Sequence, residues 1–574
     1  MEDGLYVSAF IAPPGSKPKA GRQWVRHDQN IAAWMKTGNR VELLSVWELE
    51  RHSGMKHHGR AFVDFSAFYS TLEDLLKVEG LNISDVRDIW GTPGLGSGAH
   101  NRTVASIANL PYHSYCHLLS AMLSDGVSFR EGKVLGLAVD DTPDSVVQPK
   151  PAEWYAGGFS ERGNLSLFSI SSPAKMYSAA SKRFGLEEGS LMALATASTS
   201  SLPSELAQDL GGLHIRGRYT PDGLDLDAEL DRRIADLVSA AEAGHLSSHD
   251  SRFSDEENIA SAVMKIVQRS CVDMMIRTID GALTRFDADP AEVTLALSGG
   301  FALNCPANSA LIDRFGFAGL QEIPSVSDCG QSIGIGLVQF YSELGSNMSF
   351  DFPGAYLGGR PGTIGDLKNR FGEFIGSVSQ YSDEIAVSDM IEGPIVWVQG
   401  RSEVGPRALG HRSILADPRT EASRTALNEL KRRQWWRPVA PIVLEERASE
   451  WFEDARPSPY MLQTFRIRDE VAAKIPAVAH LDASARIQTV SEEQDARIHG
   501  LISRFASVTG VPVVCNTSLN DNGEPIIERA EEALNYCLRK NLKVFYLDDY
   551  RIEVINHHGY DDADPLRRRG DLFI

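Results

Sequence analysis

The chain has 574 residues, which is too long for a single hydrophobic core and predicts two or three domains. Apolar residues make up 43% of the chain, so we expect the packed cores of an ordinary globular enzyme. The net charge of −20 disfavours a general nucleic-acid-binding or membrane-binding surface, because both partners are anionic. We therefore predict that neither nucleic acid nor membrane is a partner.

The N-terminus and the cysteines indicate the compartment. The first residues, Met-Glu-Asp-Gly, lack the basic and apolar segments of a signal peptide, and no stretch approaches the roughly 18 apolar residues of a membrane span. The six cysteines are far apart and form no CxxC pair, which predicts buried free thiols. We expect a cytoplasmic protein.

The N-terminal half alternates strand-like and helical stretches, which predicts α/β architecture. Residues 134–139 and 293–297 are short apolar runs typical of buried strands, and residues 260–279 have helical spacing. Residues 199–256 are polar and are predicted to be an insertion. The sequence assigns no function to residues 1–26 or 196–256.

A passage rich in glycine and proline, residues 352–362, breaks this pattern and predicts a domain boundary. A second unit rich in strands follows, with apolar runs at 395–399, 511–515, 543–547 and 551–555. We predict an N-terminal domain over 1–352, a linker over 353–384 and a C-terminal domain over 385–574.

A pair of histidines, His113 and His117, follows Pro111, a residue suited to the first turn of a helix. Their i, i+4 spacing places both imidazoles on one helical face, where they can hold one metal ion. Two structural histidines are the alternative. No glutamate follows His113, so the HExxH mechanism of zinc proteases is absent.

Carboxylates at strand or loop ends can complete this site. Asp140 and Asp141 end the strand-like run at 134–139, and Asp328 precedes an apolar helical stretch. Two histidines plus one or two carboxylates with an open position suit Fe(II), Mn or Zn. The turn at Gly299 and Gly300 follows the other buried run and suits the close approach of a nucleotide, with a plain structural turn as the alternative.

The loop after the strand at 395–399 has the composition of an anion site. It contains Arg407, Arg412 and Ser413, and arginine forks bind carboxylate or phosphate oxygens in fixed geometry. Lys431 and Arg437 form part of a second basic cluster in an otherwise acidic chain. These groups predict an anionic small-molecule ligand.

The whole of residues 400–419 resembles the GRxExGPRALGxRSILADPR signature of the antibiotic and nodulation-factor O-carbamoyltransferases. Residues 112–118 resemble the HHxxHA metal motif of this family, with Tyr112 in place of its first histidine. The VDG, GGxxLN and SDxG motifs have counterparts at 139–141, 299–304 and 327–330. Ser190 stands where the family often has lysine.

This resemblance implies a fold and a set of site residues. The N-terminal domain would have the ASKHA (actin-like ATPase) metal-binding fold, shared with the threonylcarbamoyl-tRNA transferases, and the C-terminal domain a YrdC-like α/β fold. The metal ligands would be His113, His117, Asp140 and Asp328, and the catalytic residues His27, Lys56, Lys431 and Arg486. Substrate or nucleotide would contact Gly299, Gly300, Asn304, Arg407, Arg412, Ser413, Arg437, Asn516, Thr517, Ser518 and Asn520.

His27 falls in the family's HD motif, and its ordinary pKa near 6.5 suits a general base at neutral pH. A surface loop histidine is the alternative. In the family, carbamate from carbamoyl phosphate attacks ATP to give carbamoyl adenylate, and an acceptor hydroxyl then takes the carbamoyl group. The resemblance thus implies a divalent metal, preferably Fe(II) with Mn or Zn as alternatives, and Mg with the ATP.

The implied partner is a hydroxylated natural product of antibiotic biosynthesis, whose identity the sequence does not indicate, and a homodimer is compatible with it. Two other functions remain as alternatives. One is a tRNA-modifying threonylcarbamoyl-type transferase, which the charge disfavours, and the other is a metal-dependent hydrolase on the ASKHA fold, which has no need of the C-terminal domain.

Overall fold

The computed structural model describes residues 1–17, 26–97, 110–147, 151–207, 210, 212–560 and 572–574. Residues 18–25, part of the N-terminal segment to which the sequence assigns no function, therefore lie outside the described residues. The chain divides into two compact units, each a mixture of helices and sheets. As far as they are described, unit 1 comprises Met1–Val46, Gly59–Pro353 and Asp571–Ile574, and unit 2 comprises Trp47–His58 and Gly354–Gly570.

Unit 1 opens with a four-stranded sheet. The strand Gly4–Phe10 has an almost wholly buried sequence and pairs antiparallel with Asn30–Thr37 and parallel with Val86–Trp90. The parallel connection passes through a helix that begins at Asp64, whose carboxylate accepts a hydrogen bond from the Ala67 N–H at 2.8 Å. Across the sheet the order is Arg40–Glu48, Asn30–Thr37, Gly4–Phe10 and Val86–Trp90.

The second sheet of unit 1 has five strands and contains the two predicted buried strands. They pair with each other in parallel from Lys133 opposite Val293 to Ala138 opposite Ser298, so their carboxyl ends meet at one edge. This register brings the residues that follow both strands together. The order is Asn164–Ser169, Ala156–Glu161, Lys133–Ala138, Val293–Ser298 and Gly319–Gln321.

Helices cover these sheets. The longest, Asp255–Phe286, begins with a capping box of Ser254 and Glu257 and contains the predicted helical stretch. The insertion predicted over 199–256 carries a helix of its own, Leu226–Ala240. The other α-helices of unit 1 are Phe65–Val78, Tyr112–Met122, Gly126–Glu131, Ala174–Phe184, Glu188–Ala197, Cys305–Phe315 and Gln331–Leu344.

Unit 2 is built on an eight-stranded mixed sheet whose strands are buried through the middle of the unit. The C-terminal strands predicted from apolar runs are all present in it. Its order is Ile375–Gln380, Tyr550–Val554, Val544–Leu547, Ile395–Val398, Arg412–Ala416, Val513–Ser518, Ala440–Leu444 and Gln488–Val490. A two-stranded ribbon, Phe465–Arg466 with Ser484–Ala485, accompanies it.

The α-helices of unit 2 include Ile364–Phe371, which lies within the segment expected to be a linker. In that same segment Ile375–Gln380 forms the edge strand of the large sheet, paired with Tyr550–Val554. The remaining helices are Leu49–Ser53, Asp383–Glu392, Glu421–Leu430, Ala448–Trp451, Asp469–Ala472, Ala496–Thr509 and Ala530–Lys540.

The six cysteines all belong to the described residues and are buried thiols, as predicted. In the described part of the chain, no helix combines the length and apolar character needed to cross a bilayer.

Candidate functional site

Four side chains of unit 1 converge at the edge where the two central strands end. The helix Tyr112–Met122 carries His113 and His117, Asp140 follows one strand, and Asp328 begins a short 3-10 turn. One ligand atom from each residue lies within 4.8 Å of the ligand atoms of the other three, and all four residues are buried. The structure therefore brings together the complete set of predicted metal ligands.

The individual distances show how the donor atoms face one another. The Nε2 atom of His113 lies 3.2 Å from Asp140 Oδ2 and 3.4 Å from Asp328 Oδ1. The Nε2 atom of His117 lies 3.2 Å from Asp328 Oδ1 and 3.8 Å from Asp140 Oδ2. Two imidazole nitrogens thus point at two carboxylates. This donor set fits a divalent first-row metal ion, which takes both ligand types.

The electrostatics of the cluster favour charge separation. Burial raises the pKa of Asp328, but the nearby imidazole of His113 and the hydrogen bonds from both histidines outweigh it and hold that pKa well below its ordinary value. Burial lowers the pKa of His113, but the charges of Asp328, Asp140 and Asp144 outweigh it and raise that pKa. Both carboxylates are therefore ionised near neutral pH, as ligands to a cation must be.

His27 lies beside this cluster. Its Nδ1 atom is 2.8 Å from Asp28 Oδ2, and its Nε2 atom is 3.8 Å from Asp328 Oδ2. Burial lowers the pKa of His27, but the Asp28 hydrogen bond and the charges of Asp328 and Asp140 outweigh burial and raise that pKa to about 10. The side chain is 61% exposed, so water screens part of this effect. A cation on Asp140 and Asp328 would offset their charge and return the pKa of His27 towards its ordinary value.

The glycine turn at Gly299 and Gly300 serves Asp140 directly. Gly299 has φ +89°, and a Cβ atom there would lie 2.5 Å from the Val139 carbonyl. This close approach lets the Gly300 N–H donate to Asp140 Oδ1 at 2.9 Å. The Asn304 side chain caps the helix Cys305–Phe315 by accepting from the Ala307 N–H at 3.2 Å. The turn was expected to allow the close approach of a nucleotide. In the structure its Gly300 N–H donates to Asp140, a metal-ligand candidate.

In unit 2, Arg412, one of the residues expected to contact substrate or nucleotide, has a structural task. The residue is fully buried, and its guanidinium donates five hydrogen bonds to backbone carbonyls. A guanidinium has five N–H groups, so none remains for a substrate. The acceptors are the carbonyls of Glu528, Gln399, His411, Gly359 and Gly400, at 2.8 to 3.1 Å. Arg412 therefore ties the signature loop to the neighbouring chain segments.

Two further predicted binding residues are also occupied within the protein. Ser413 is fully buried, and its Oγ atom accepts a hydrogen bond from the Gly410 N–H at 3.1 Å. The Asn516 amide donates to the Ala408 carbonyl at 2.9 Å. Both contacts shape the signature loop, in which Arg407 is half-buried.

Lys431 is the centre of a cationic cluster in unit 2. Its Nζ atom donates to the Ser518 carbonyl at 2.7 Å and also to Asn520, which positions that turn. Burial lowers the pKa of Lys431 well below its ordinary value, and the charges of Arg433 and Lys56 act in the same direction, while those of Asp521 and Glu524 oppose it. Arg433 in turn donates to Thr517 Oγ1 at 2.7 Å. A bound anion would reduce the electrostatic repulsion among these cations.

The two remaining predicted catalytic residues, Lys56 and Arg486, also belong to unit 2. Lys56 belongs to the segment Trp47–His58, which the structure assigns to unit 2 although the sequence had suggested the N-terminal domain. The Nε atom of Arg486 is buried and has no hydrogen-bond partner among the described residues. A buried N–H without an acceptor is costly, and a bound anion would supply one. Arg437 lies in the loop between Lys431 and the strand Ala440–Leu444.

Two neighbours of the metal-ligand candidates were missed by sequence reasoning. Asp144 contacts His113, and Arg26 contacts Asp144. Neither falls in a motif, and only the folded chain brings them together.

Two family models match the chain. The model for the carbamoyltransferase N-terminus matches residues 62–337, and the model for the carbamoyltransferase C-terminus matches residues 388–554. The chain belongs to the carbamoyltransferase family. The first match lies inside unit 1 and the second inside unit 2, so each unit is recognised by its own family model.

Several curated proteins resemble this chain. Nodulation protein NolO of Bradyrhizobium diazoefficiens is 38% identical over 258 residues, covering 43% of this chain and 47% of that protein. The 3'-hydroxymethylcephem-O-carbamoyltransferases of Amycolatopsis lactamdurans and Streptomyces clavuligerus are each 34% identical, covering 45% of this chain and 49% of theirs. The matched region spans about half the length of these relatives.

Solved structures give a weaker likeness. A crystal structure of HypF from T. kodakarensis has 11% identity and a TM-score of 0.28, covering 61% of this chain and 49% of that one. A similarity of this size carries no structural argument.

Proposed function

We propose that this protein is an ATP-dependent O-carbamoyltransferase that moves the carbamoyl group of carbamoyl phosphate, through carbamoyl adenylate, onto a hydroxyl of a natural product. The observation that carries the proposal is the buried convergence of His113, His117, Asp140 and Asp328 within a member of the carbamoyltransferase family. We further propose that unit 1 is the ASKHA-type transfer domain and unit 2 the YrdC-like activating domain, with residues 353–384 beginning the latter.

The proposed activation step belongs to unit 2. Carbamate and the ATP triphosphate are both anionic, so their encounter needs cations that neutralise them. Positive charge is supplied by Lys431, Lys56 and Arg433, which lie close together. The Arg486 Nε–H is a buried hydrogen-bond donor without an acceptor among the described residues. We propose that water first splits carbamoyl phosphate into carbamate and inorganic phosphate. A carbamate oxygen then attacks the α-phosphorus of ATP and pyrophosphate leaves, while these groups, with Arg407, Arg437, Thr517, Ser518 and Asn520 around them, hold the two substrates. Mg would accompany the ATP.

The proposed transfer step belongs to unit 1. When bound by His113, His117, Asp140 and Asp328, a divalent ion such as Fe(II) would act there as a Lewis acid towards the adenylate. The protein's own residues keep this place buried, which protects a labile mixed anhydride from water. We propose that His27, held by Asp28 at 2.8 Å, takes the proton of the acceptor hydroxyl as AMP leaves.

The acceptor is proposed to be a small hydroxylated molecule. Two relatives are named for O-carbamoylation of a 3'-hydroxymethylcephem, and others are nodulation proteins, so the acceptor class extends across unlike scaffolds. The net charge of −20 supports a small molecule over tRNA.

The experiment is product analysis by mass spectrometry. The purified chain is incubated with ATP, carbamoyl phosphate and a panel of hydroxylated natural products that includes a 3'-hydroxymethylcephem. The proposal expects one acceptor to gain a single carbamoyl group, with AMP and pyrophosphate formed in equal amounts. Modification of tRNA, with no product from any small acceptor, would contradict it.

A further inference from the structure

Asp144 lies directly behind one of the metal-ligand candidates and is fixed at both of its carboxylate oxygens. Its Oδ2 atom is 3.1 Å from His113 Nδ1, on the far side of the imidazole from Asp140 and Asp328. Its Oδ1 atom accepts a hydrogen bond from the Val146 N–H at 2.7 Å. The Asp144 side chain is only 6% exposed, so water competes little for these contacts.

Arg26 holds Asp144 in turn. Its Nε atom donates to the same Oδ2 atom at 3.2 Å, and the Arg26 side chain is 1% exposed. Its Nη1 atom donates to the carbonyls of Ile11 and Gly91 at 2.9 and 3.0 Å and to Thr92 Oγ1 at 3.0 Å. Arg26 is therefore anchored to the ends of two strands of the first sheet and cannot follow Asp144 if that residue moves.

A carboxylate in this position determines which nitrogen of His113 carries the proton. An imidazole that donates its Nδ1–H to Asp144 keeps its Nε2 lone pair for the cluster formed by Asp140 and Asp328. The negative charge also makes the ring a stronger donor to a metal. Without Asp144, the buried Nδ1–H would have no acceptor, and the alternative tautomer would present an N–H to the metal position.

We propose that Asp144 and Arg26 are positioning residues for a divalent metal ion: Asp144 fixes the tautomer and orientation of His113, and Arg26 fixes Asp144. This inference rests on the metal site of the proposed function and extends it to a carboxylate–histidine–metal arrangement with an arginine behind it. Because Arg26 immediately precedes His27, the same anchor also fixes the backbone from which His27 extends.

The test is the affinity of the purified chain for Co(II) alone, measured by competition with a chelator and by visible absorption. Asp144→Asn keeps the size of the side chain but removes its charge, and we expect a dissociation constant about 10- to 100-fold higher than that of the unaltered chain. The Co(II) absorption bands should also shift, because one imidazole is less firmly held.

Asp141→Asn is the matched control. Asp141 is in the same loop, but its carboxylate bonds Ser178 Oγ at 2.7 Å and pairs with Lys175 at 3.3 Å, away from the histidines. The Co(II) affinity of this variant should stay within about twofold of that of the unaltered chain, since the Asp141 side chain contacts Ser178 and Lys175 rather than a ligand candidate. An Asp144→Asn affinity within that same margin, or an equal loss in both variants, overturns the inference.

Arg26→Lys is the second variant and keeps the test decisive if Asp144→Asn does not fold. Lysine retains the charge, but its single nitrogen cannot contact Asp144 and also make the three anchoring contacts of Nη1, so we expect a weakening of Co(II) binding by about threefold or more. Thermal unfolding without metal shows whether each variant is folded, and unchanged Co(II) binding by a folded Arg26→Lys overturns the role of Arg26. If the unaltered chain itself fails to bind Co(II), the metal site of the proposed function fails instead.

Discussion

His117 and Asp328 are separated by 211 residues in sequence, yet the Nε2 atom of His117 lies 3.2 Å from Asp328 Oδ1. The contact forms because the helix that carries His117 packs beside the strand Val293–Ser298, whose Ser298 hydroxyl donates to the His117 carbonyl at 2.7 Å. The geometry of the candidate metal centre thus depends on the central sheet of unit 1.

Removing both histidines should remove the metal. The double variant His113→Ala/His117→Ala leaves only two carboxylates, too few donors to retain a divalent first-row ion during purification. Metal analysis of the purified chains checks this directly. His499→Ala is a suitable control, because His499 pairs with Glu446 on unit 2. Equal metal content in the double variant and the control would show that the ligands were assigned wrongly.

The histidine pair is a local signal in the sequence, whereas the choice of Asp140 and Asp328 as further ligands comes from the family resemblance. An i, i+4 histidine pair and carboxylates at the ends of buried strands can be recognised without knowing the fold. Asp144 and Arg26 gave no such signal. Arg26 meets Asp144 across 118 residues, and the contact depends on where the first sheet ends.

Activation and transfer should be separable in unit 2 variants. Arg486→Ala removes the donor that lacks an internal acceptor, so ATP-to-AMP turnover should fall by about 100-fold or more. Lys431→Ala should also abolish that turnover, and it additionally loosens the turn at Ser518 and Asn520.

The measurement is pyrophosphate release, followed by addition of purified carbamoyl adenylate. Both variants should then form some carbamoylated product, since unit 1 is unaltered. If folded Arg486→Ala hydrolyses ATP normally, or if folded Lys431→Ala makes no product from supplied adenylate, the division of labour between the units is wrong.

His27→Asn should keep pyrophosphate release and lose transfer. Asparagine preserves the bulk and a polar end beside Asp28 but cannot accept a proton from an alcohol, and a positioned base contributes about 10²- to 10⁴-fold. Product and pyrophosphate are measured in the same sample. Near-normal transfer would remove His27 from the mechanism, and loss of both activities would assign it a structural role.

A stability prediction concerns Glu528, which lies buried in unit 2 with Arg51 Nη1 3.6 Å from its carboxylate. Burial raises the pKa of Glu528, but the charges of Arg51 and Arg412 outweigh it and lower that pKa to about 2. A carboxyl whose folded pKa is below its unfolded value stabilises the fold above about pH 4.5 and loses this contribution as the pH falls towards 2.

Glu528→Gln should therefore destabilise unit 2 by about 3 kcal/mol at neutral pH, because Arg51 keeps a buried charge with one partner fewer. The difference in unfolding midpoint should shrink below about pH 4.5. Glu531→Gln is the control, since the side chains of Arg370 and Glu531 are 50% and 29% exposed and water screens their pair to less than about 1 kcal/mol. A difference that grows on acidification would contradict the pKa assignment.

Two features of unit 2, the contacts of Arg412 and the strand Ile375–Gln380, could not be predicted from the sequence. Arg412 stands in a signature that suggested an anion ligand, but five carbonyls from scattered segments use all its donors, and only the folded structure reveals them. The strand Ile375–Gln380 is mostly exposed, with only Ile375 and Val378 half-buried, so its signal is weak beside the glycine- and proline-rich passage before it. Its place is set by pairing with the distant strand Tyr550–Val554.

The central claim is that this chain forms carbamoyl adenylate from carbamoyl phosphate and ATP. This claim can be tested without knowing the acceptor. The measurement is the exchange of labelled pyrophosphate into ATP by the unaltered chain, with and without carbamoyl phosphate. The account predicts exchange only when carbamoyl phosphate is present. Absence of exchange in an enzyme that binds ATP, or exchange that does not depend on carbamoyl phosphate, would contradict it.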